Sequence, residues 1–143
     1  MHFGQMTQTN LPIVQYHLAI TYLEGAFMNS KPRIQKAIEV LNIVLETELN
    51  DWRSYRLRGE SFILCSDFTQ AKNDFVRSFN LNPTSSCALK LARIELKLGN
   101  SPETVMPYLN QAISLGPKNM DAYLEMGKFL AFSRPVEERG RYF

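Results

Sequence analysis

A pattern of small and large residues recurs along this chain at intervals of about 34 residues. In the middle copy, a small, a large and a small residue follow at helical spacing, Ala71, Phe75 and Ser78. One period earlier and one period later, comparable residues occupy the same points: Ala37, Leu41 and Val44, then Val105, Leu109 and Ala112. A fixed period of this length predicts a stack of repeated helical units.

The first half of each unit has its own recurring residues. Tyr55, Gly59 and Phe62 correspond to Tyr123, Gly127 and Leu130, with looser copies at Leu18, Ala19 and Tyr22 and at Leu89, Ala92 and Leu96. Two antiparallel helices nest closely where one offers a small residue to the other. We therefore predict that Gly59 and Ala71 are contact points within one helix pair, with Phe62 and Phe75 packed around them.

The helix boundaries follow from residues that favour helix starts and ends. N-cap residues, several of them followed by Pro, predict starts at Asn10, Ser30, Asp51, Asp67, Ser85, Ser101 and Asn119. Pro83 and Pro117 end two of the units, because Pro cannot continue a helix. The result is seven helices: three pairs and an unpaired last helix from Met120 to about Ser133.

Two features depart from a regular repeat. The first pair carries about six extra residues between its helices, in the stretch from Leu23 to Arg33. Pro107 falls inside the predicted sixth helix, where Pro costs about 3 kcal/mol or more. We therefore predict that this helix begins late, near Met106, or is distorted.

The whole pattern resembles tetratricopeptide repeats (TPR), over roughly residues 11–134. The copy from Trp52 to Pro83 matches best, although Arg58 stands where the family usually has Leu. The resemblance implies an all-α helical-hairpin solenoid, a TPR-like superhelix of three repeats plus one helix. The signature residues are Ala19, Gly59, Ala71, Phe75, Pro83, Ala112, Pro117 and Gly127. We predict a flexible N-terminus over residues 1–10, a repeat domain over 11–133, and a tail or rudimentary capping helix over 134–143.

The resemblance also implies a function. In TPR proteins the first helices of successive pairs line a concave groove that binds peptides. The residues predicted to line it here are Tyr16, Ile20, Arg53, Arg56, Glu60, Lys90, Ile94, Lys97 and Lys128. The N-terminal part is apolar and the middle basic, which favours an acidic peptide or a free C-terminal carboxylate as ligand.

One class of TPR ligand is disfavoured by the residues present. Co-chaperones that hold the EEVD tail of heat-shock chaperones use a clamp of Lys, Asn and Arg side chains. The matching positions here are Tyr16, Ile20, Leu57, Cys87 and Leu91, none of which supplies such a group. In the register one repeat later, only Arg56 is cationic. We therefore predict a partner other than that tail.

Composition and motifs argue against other classes of function. A net charge of +2 does not favour nucleic acid or a membrane surface as a partner. No catalytic constellation, metal-ligand cluster or phosphate loop is present, so we predict neither enzyme activity nor a cofactor. Cys65 and Cys87, the two cysteines, are predicted to be unbridged packing residues, and a cytoplasmic location is the default.

We thus predict a non-catalytic scaffold or adaptor that binds a peptide segment of a partner protein. The alternative is self-assembly into a homo-oligomer. The unpaired last helix has an apolar face with Met126, Phe129 and Leu130, and a second copy of the chain would cover it.

Overall fold

The computed structural model of the chain describes residues 11–24 and 30–133, and every regular element within these ranges is an α-helix. The helices are α1 (Pro12–Glu24), α2 (Lys31–Thr47), α3 (Trp52–Leu64), α4 (Phe68–Leu81), α5 (Ser85–Lys97), α6 (Pro102–Leu115) and α7 (Met120–Ser133). The all-α architecture of seven helices is confirmed for this part of the chain. The terminal segments 1–10 and 134–143, and most of the inserted loop, residues 25–29, lie outside the described residues.

The chain divides into two compact units, Met1–Asn82 (unit 1) and Pro83–Phe143 (unit 2). In unit 1, α1 packs on α2, α2 on α3, and α3 on α4. In unit 2, α5 packs on α6, and α6 on α7. Contacts between consecutive helices are what a chain of helical hairpins requires, because each helix buries its apolar side against its neighbours in sequence.

The signature residues of the best-matching copy form the contact between α3 and α4. Gly59 is buried, and a Cβ atom added to it would lie 2.8 Å from Cε2 and 2.9 Å from Cδ2 of the Phe75 ring. Ala71 and Phe75 are fully buried. The hydroxyl of Ser78 donates to the carbonyl of Trp52 at 2.9 Å. Gly59 is therefore a contact point as predicted, and its partner across the interface is the Phe75 ring.

The repeated positions of the other helices are buried as well. In unit 1, Ala19, Ala37 and Leu41 form a core cluster against which Tyr16 and Leu57 pack. In unit 2, Val105, Leu109 and Ala112 are fully buried. The spacing of small and large residues thus identifies the inward face of each second helix.

Side-chain caps start several of the helices. The Asp67 carboxylate accepts from the Gln70 N–H at 3.2 Å, and the Thr84 hydroxyl accepts from the Cys87 N–H at 3.1 Å. The prediction that Ser85 caps α5 is wrong by one residue, because Thr84 takes that role. The Ser85 hydroxyl donates instead to the Ala112 carbonyl at 2.6 Å.

Arg58, which departs from the usual repeat pattern, forms an ion pair between α3 and α4. Its Nε and Nη2 donate to the two carboxylate oxygens of Asp74 at 2.8 and 2.7 Å, and its Nη1 donates to Asn42 on α2 at 2.9 Å. Burial raises the pKa of Asp74, an effect that the hydrogen bond and the charge of Arg58 oppose. One guanidinium therefore joins three helices of unit 1.

A late start of α6 and the packing of Cys65 are two further predictions that are wrong. Helix α6 begins at Pro102 and continues through Pro107, and the alternative of a distorted helix stays a prediction. Pro107 and Glu103 are both exposed, so water can bond the Glu103 carbonyl that the missing N–H of Pro107 leaves open. Cys65 is exposed in the turn after α3 and does not pack in the interior, whereas Cys87 is buried; neither forms a disulfide.

Candidate functional site

A concave surface of unit 1 lies where α1, the α2–α3 connection and the start of α3 meet. It is an open cavity of about 680 Å³. Its lining comes from α1 and the residue before it (Leu11, Pro12, Ile13, Tyr16 and His17), from the connection (Glu48 and Asp51) and from α3 (Arg53 and Arg56). This volume lies within the range of about 300–1,000 Å³ that is typical of ligand sites.

One wall of the cavity is apolar. Ile13 is 67% exposed and Leu11 is 38% exposed. The Tyr16 ring stands edge-to-face against His17, with centroids 5.6 Å apart and planes at 83°. Ala19 is the only residue of α1 that is fully enclosed, so this helix leaves much of its apolar surface open to contact.

The α3 part of the lining carries two guanidinium groups that lie over one indole ring. The Cζ atom of Arg53 lies 4.9 Å, and that of Arg56 5.3 Å, from the centroid of the Trp52 ring. Such stacking is attractive, because the face of an indole ring is electron-rich. In the described part of the chain, neither guanidinium lies within 4.0 Å of a carboxylate oxygen. Both charges therefore remain available to a ligand.

Arg56 is more constrained than Arg53. Its Nε atom is enclosed and has no hydrogen-bond partner among the described residues. Enclosed donors are nearly always paired, and leaving one unpaired costs about 1–3 kcal/mol. Because Nε is sealed, an anion can reach this guanidinium only through its terminal amino groups.

Two carboxylates complete the lining, and neither was predicted from the sequence to be a site residue. Glu48 is the exposed C-cap residue of α2, and Asp51 is the N-cap residue of α3. The Ser54 hydroxyl donates to Asp51 at 2.6 Å. Sequence reasoning missed both residues because it considered only helix positions. Their place in the connection directly before Arg53 was the available signal.

The structure thus brings Tyr16, Arg53 and Arg56 together in one cavity. Ile20 and Glu60, the other predicted groove residues of unit 1, are half-buried and do not line it.

The predicted groove residues of unit 2 have mixed surroundings. Lys90 is half-buried, and Lys97 and Lys128 are exposed. Ile94 is only 2% exposed, so its prediction as a groove-lining residue is wrong. Helix α5 buries residues on several faces, Ala88, Leu89, Leu91 and Ala92 among them, and Ile94 belongs to that interior.

Unit 2 has a smaller cavity of about 320 Å³ beside α7. Its lining is Leu96, Glu125, Lys128, Phe129 and Phe132. Nε of Arg93, which is not part of the lining, donates to Glu125 at 3.1 Å. Since this ion pair occupies the carboxylate, Lys128 is the charged group of the lining with the greater freedom.

The described residues include neither a candidate metal site nor a membrane-spanning helix. Over residues 11–24 and 30–133, no group of three or more His, Cys, Asp and Glu side chains is placed to hold a metal ion. None of the described helices combines the length and the apolar character needed to span a bilayer.

No family model and no curated protein matches the sequence, but solved structures do. The structure of MamA shares 18% identity, with a TM-score of 0.81 over 98% of this chain and 78% of that one. YrrB, a TPR protein with an unusual peptide-binding site, shares 18% identity, with a TM-score of 0.73 over 97% and 70% of the two chains. The first TPR of Spaghetti (RPAP3), bound to the HSP90 peptide SRMEEVD, shares 15% identity, with a TM-score of 0.69 over 82% and 90%.

The chain has the tetratricopeptide-repeat fold. Gly59 and Phe75, two of the predicted signature residues, are in contact, and the cavity of unit 1 lies at α1 and α3, the first helices of two successive helix pairs. Gly127 occupies the same signature position in α7, and an added Cβ there would meet no described atom within 4 Å.

Proposed function

We propose that this chain is a non-catalytic protein-interaction module, an adaptor or scaffold, and that it binds a peptide segment of a partner in the cavity of unit 1. The observation that carries the proposal is the pairing of an exposed apolar wall with two guanidinium groups that have no ion-pair partner in the described residues. Arg and aromatic residues are enriched where proteins recognise one another.

An acidic group in the ligand is the counterpart of the two guanidinium groups. Arg presents a planar fork of donors that matches a carboxylate in two parallel hydrogen bonds. The Trp52 ring restricts both side chains, so less conformational entropy is lost when an anion binds. Two of the similar TPR structures concern peptide binding, YrrB with its peptide-binding site and RPAP3 with its HSP90 peptide, and they support this class of ligand here.

We expect a ligand other than the EEVD tail of heat-shock chaperones. The positions that would form the clamp lack its Lys and Asn residues, and two of them, Cys87 and Leu91, are buried. The cationic groups of this chain therefore do not stand where that tail would need them.

The test compares partner capture by three forms of the chain. The wild type, the variant Arg53→Glu/Arg56→Glu, and the control Lys31→Glu/Lys36→Glu are each used to capture proteins from an extract of the source cells, followed by mass spectrometry. The control reverses two exposed charges of unit 1 that do not line the cavity. We expect partners that the cavity variant loses and the control keeps, with equal helicity by circular dichroism. Partners retained by all three forms would contradict the proposal.

Self-assembly is the second candidate, and the exposed apolar residues of α7 favour it. Met120 is 74% exposed and Leu124 is 55% exposed. Large exposed apolar groups that recur along one helix often mark an interface. A molar mass that rises with concentration in light scattering would support this candidate, and a constant monomer mass would exclude it.

The predictions of a cytoplasmic location and of no nucleic-acid partner belong to the same proposal. Separation of a cell lysate into compartments, and a filter-binding assay with single-stranded RNA at low salt, test them directly.

A further inference from the structure

The cavity of unit 1 carries charges of both signs, which the acidic-peptide proposal does not use. Arg53 and Arg56 contribute two positive charges, and Glu48 and Asp51 contribute two negative charges. At neutral pH these four groups sum to zero. Complementarity therefore requires more from a ligand than negative charge alone.

The two carboxylates differ in their freedom to meet a ligand. Asp51 is held by the Ser54 hydroxyl and stands at the N-terminus of α3, where the helix dipole favours its negative charge. Glu48 is exposed, and no side-chain hydrogen bond or ion pair is found for it within the described residues. Glu48 is accordingly the group best placed to bind a cation from the ligand.

A purely acidic segment would bind this cavity at a disadvantage. Its charge would be attracted by the guanidinium groups and repelled by Glu48 in the same lining, and like charges in proximity are unfavourable. A segment with a basic residue beside its acidic residue would satisfy both sides. An apolar side chain of the same segment would contact Ile13 and Tyr16, since the charged residues of the ligand would bind elsewhere in the lining.

Resting on the peptide-binding function proposed above, we propose that the cavity of unit 1 selects a mixed-charge peptide segment. In this segment an acidic residue binds Arg53 and Arg56, a basic residue binds Glu48, and an apolar residue packs on the α1 wall. The recognition element is therefore bipolar, and the partner is a protein segment of near-zero local charge.

The experiment uses a phage-displayed library of random nonapeptides and the full chain as bait. We expect the wild-type pool to be enriched in acidic and in basic residues together with an apolar residue. With Glu48→Gln as bait, the enrichment in basic residues should disappear while that in acidic residues persists. With Arg53→Gln/Arg56→Gln, the opposite loss is expected. Glu46→Gln, an exposed charge of the same helix outside the cavity, is the matched control and should select the wild-type pool.

A synthetic pair of peptides then gives the size of the effect. The best peptide from the wild-type pool is compared with its copy carrying norleucine in place of the basic residue, by fluorescence anisotropy. The substitution should weaken binding to the wild type by about two- to fivefold, the range for exposed ion pairs, and should not change binding to Glu48→Gln.

The outcomes separate this inference from the proposed function. A wild-type pool rich in acidic residues with no enrichment in basic ones would overturn the bipolar site and leave peptide binding intact. A wild-type pool with no enriched peptides would overturn the proposed function itself, and the bipolar site with it. Identical pools from all four baits would place recognition outside the cavity and overturn both.

Discussion

Helices α3 and α7 carry the same repeat signature in opposite surroundings. In α3, Gly59 is buried beneath the Phe75 ring, and an added Cβ would approach that ring to 2.8 Å. In α7, Gly127 is exposed, and an added Cβ would meet nothing among the described residues within 4 Å. Tyr123, four residues before Gly127 in α7, is 43% exposed.

The contrast shows that a residue at a repeat position is not necessarily a packing contact. Gly59 is needed because a second helix, α4, approaches too closely for a side chain. At Gly127 no described helix makes that demand, so the residue keeps only the entropic cost of Gly in a helix, about 0.5–1 kcal/mol relative to Ala. A signature residue thus indicates membership in a repeat before it indicates a contact.

The largest expected effect comes from making α3 resemble α7 at the position before its Gly. That position is Arg58 in α3 and Met126 in α7. Arg58→Met leaves Asp74 buried without its partner, which is strongly destabilising for a buried pair. We expect a loss of about 2–4 kcal/mol, somewhat less than the about 3–5 kcal/mol for fully enclosed pairs, because the Arg58 side chain is 21% exposed. Urea unfolding followed by the fluorescence of Trp52, the single Trp, measures it.

The control for this variant is the double substitution Arg58→Met/Asp74→Met. Replacing both members of a buried ion pair by apolar residues is often neutral or stabilising. We therefore expect the double variant to regain most of the lost stability. A double variant as unstable as Arg58→Met would mean that the guanidinium acts through Asn42 or through packing, and not through Asp74.

The same variant should have a stability that depends on pH. Burial already raises the pKa of Asp74, and removing Arg58 also removes the hydrogen bond and the charge that oppose this rise. A carboxyl group whose folded-state pKa is raised contributes most stability at low pH and loses it as the pH rises through that value. The deficit of Arg58→Met relative to wild type should therefore shrink between pH 7 and pH 5. In Arg58→Met/Asp74→Asn the stability deficit relative to wild type should not change with pH. A pH-independent deficit in Arg58→Met itself would contradict the attribution of the pH dependence to Asp74.

The next effect tests the close approach at Gly59. In Gly59→Ala, the new methyl group would meet the fully buried Phe75 ring, and crowding of a packed core costs about 1–3 kcal/mol. The better helix propensity of Ala offsets part of this cost, which leaves an expected net loss of about 1–2 kcal/mol. The same fluorescence assay measures it. A more stable variant would show that the ring moves aside at little cost.

The fold was largely predictable because its determinants are local and periodic. The spacing of Ala71, Phe75 and Ser78 fixes which side of a helix is buried, and Pro83 limits where that helix can end. The start of α6 was not predictable from the cost of Pro107 alone, because that cost is reduced where the orphaned carbonyl faces water. The partner of Arg58 was missed because an ion pair between helices is set by three-dimensional contact.

The candidate site was only partly predictable. Tyr16, Arg53 and Arg56, which were predicted together, line one cavity because repeat positions imply which side of a first helix is open. Ile94 was wrongly included by the same argument, because α5 buries several of its faces and repeat position alone cannot reveal this. Glu48 was missed because it is the C-cap residue of α2, and helical periodicity does not predict which way the side chain of a residue beyond the helix faces.

The smallest expected effect has the opposite sign. Gly127→Ala should stabilise α7 by about 0.5–1 kcal/mol, since Ala removes the entropic cost of Gly and its methyl group meets no described atom. Hydrogen–deuterium exchange of the α7 amides measures this locally, and we expect exchange about two- to fivefold slower than in wild type. The matched comparison is Gly59→Ala, in which the α3 amides should exchange faster. If Gly127→Ala instead speeds exchange, another segment or a second copy of the chain packs against Gly127. Gly127 would then be a packing contact like Gly59, and α3 and α7 would not differ at this position.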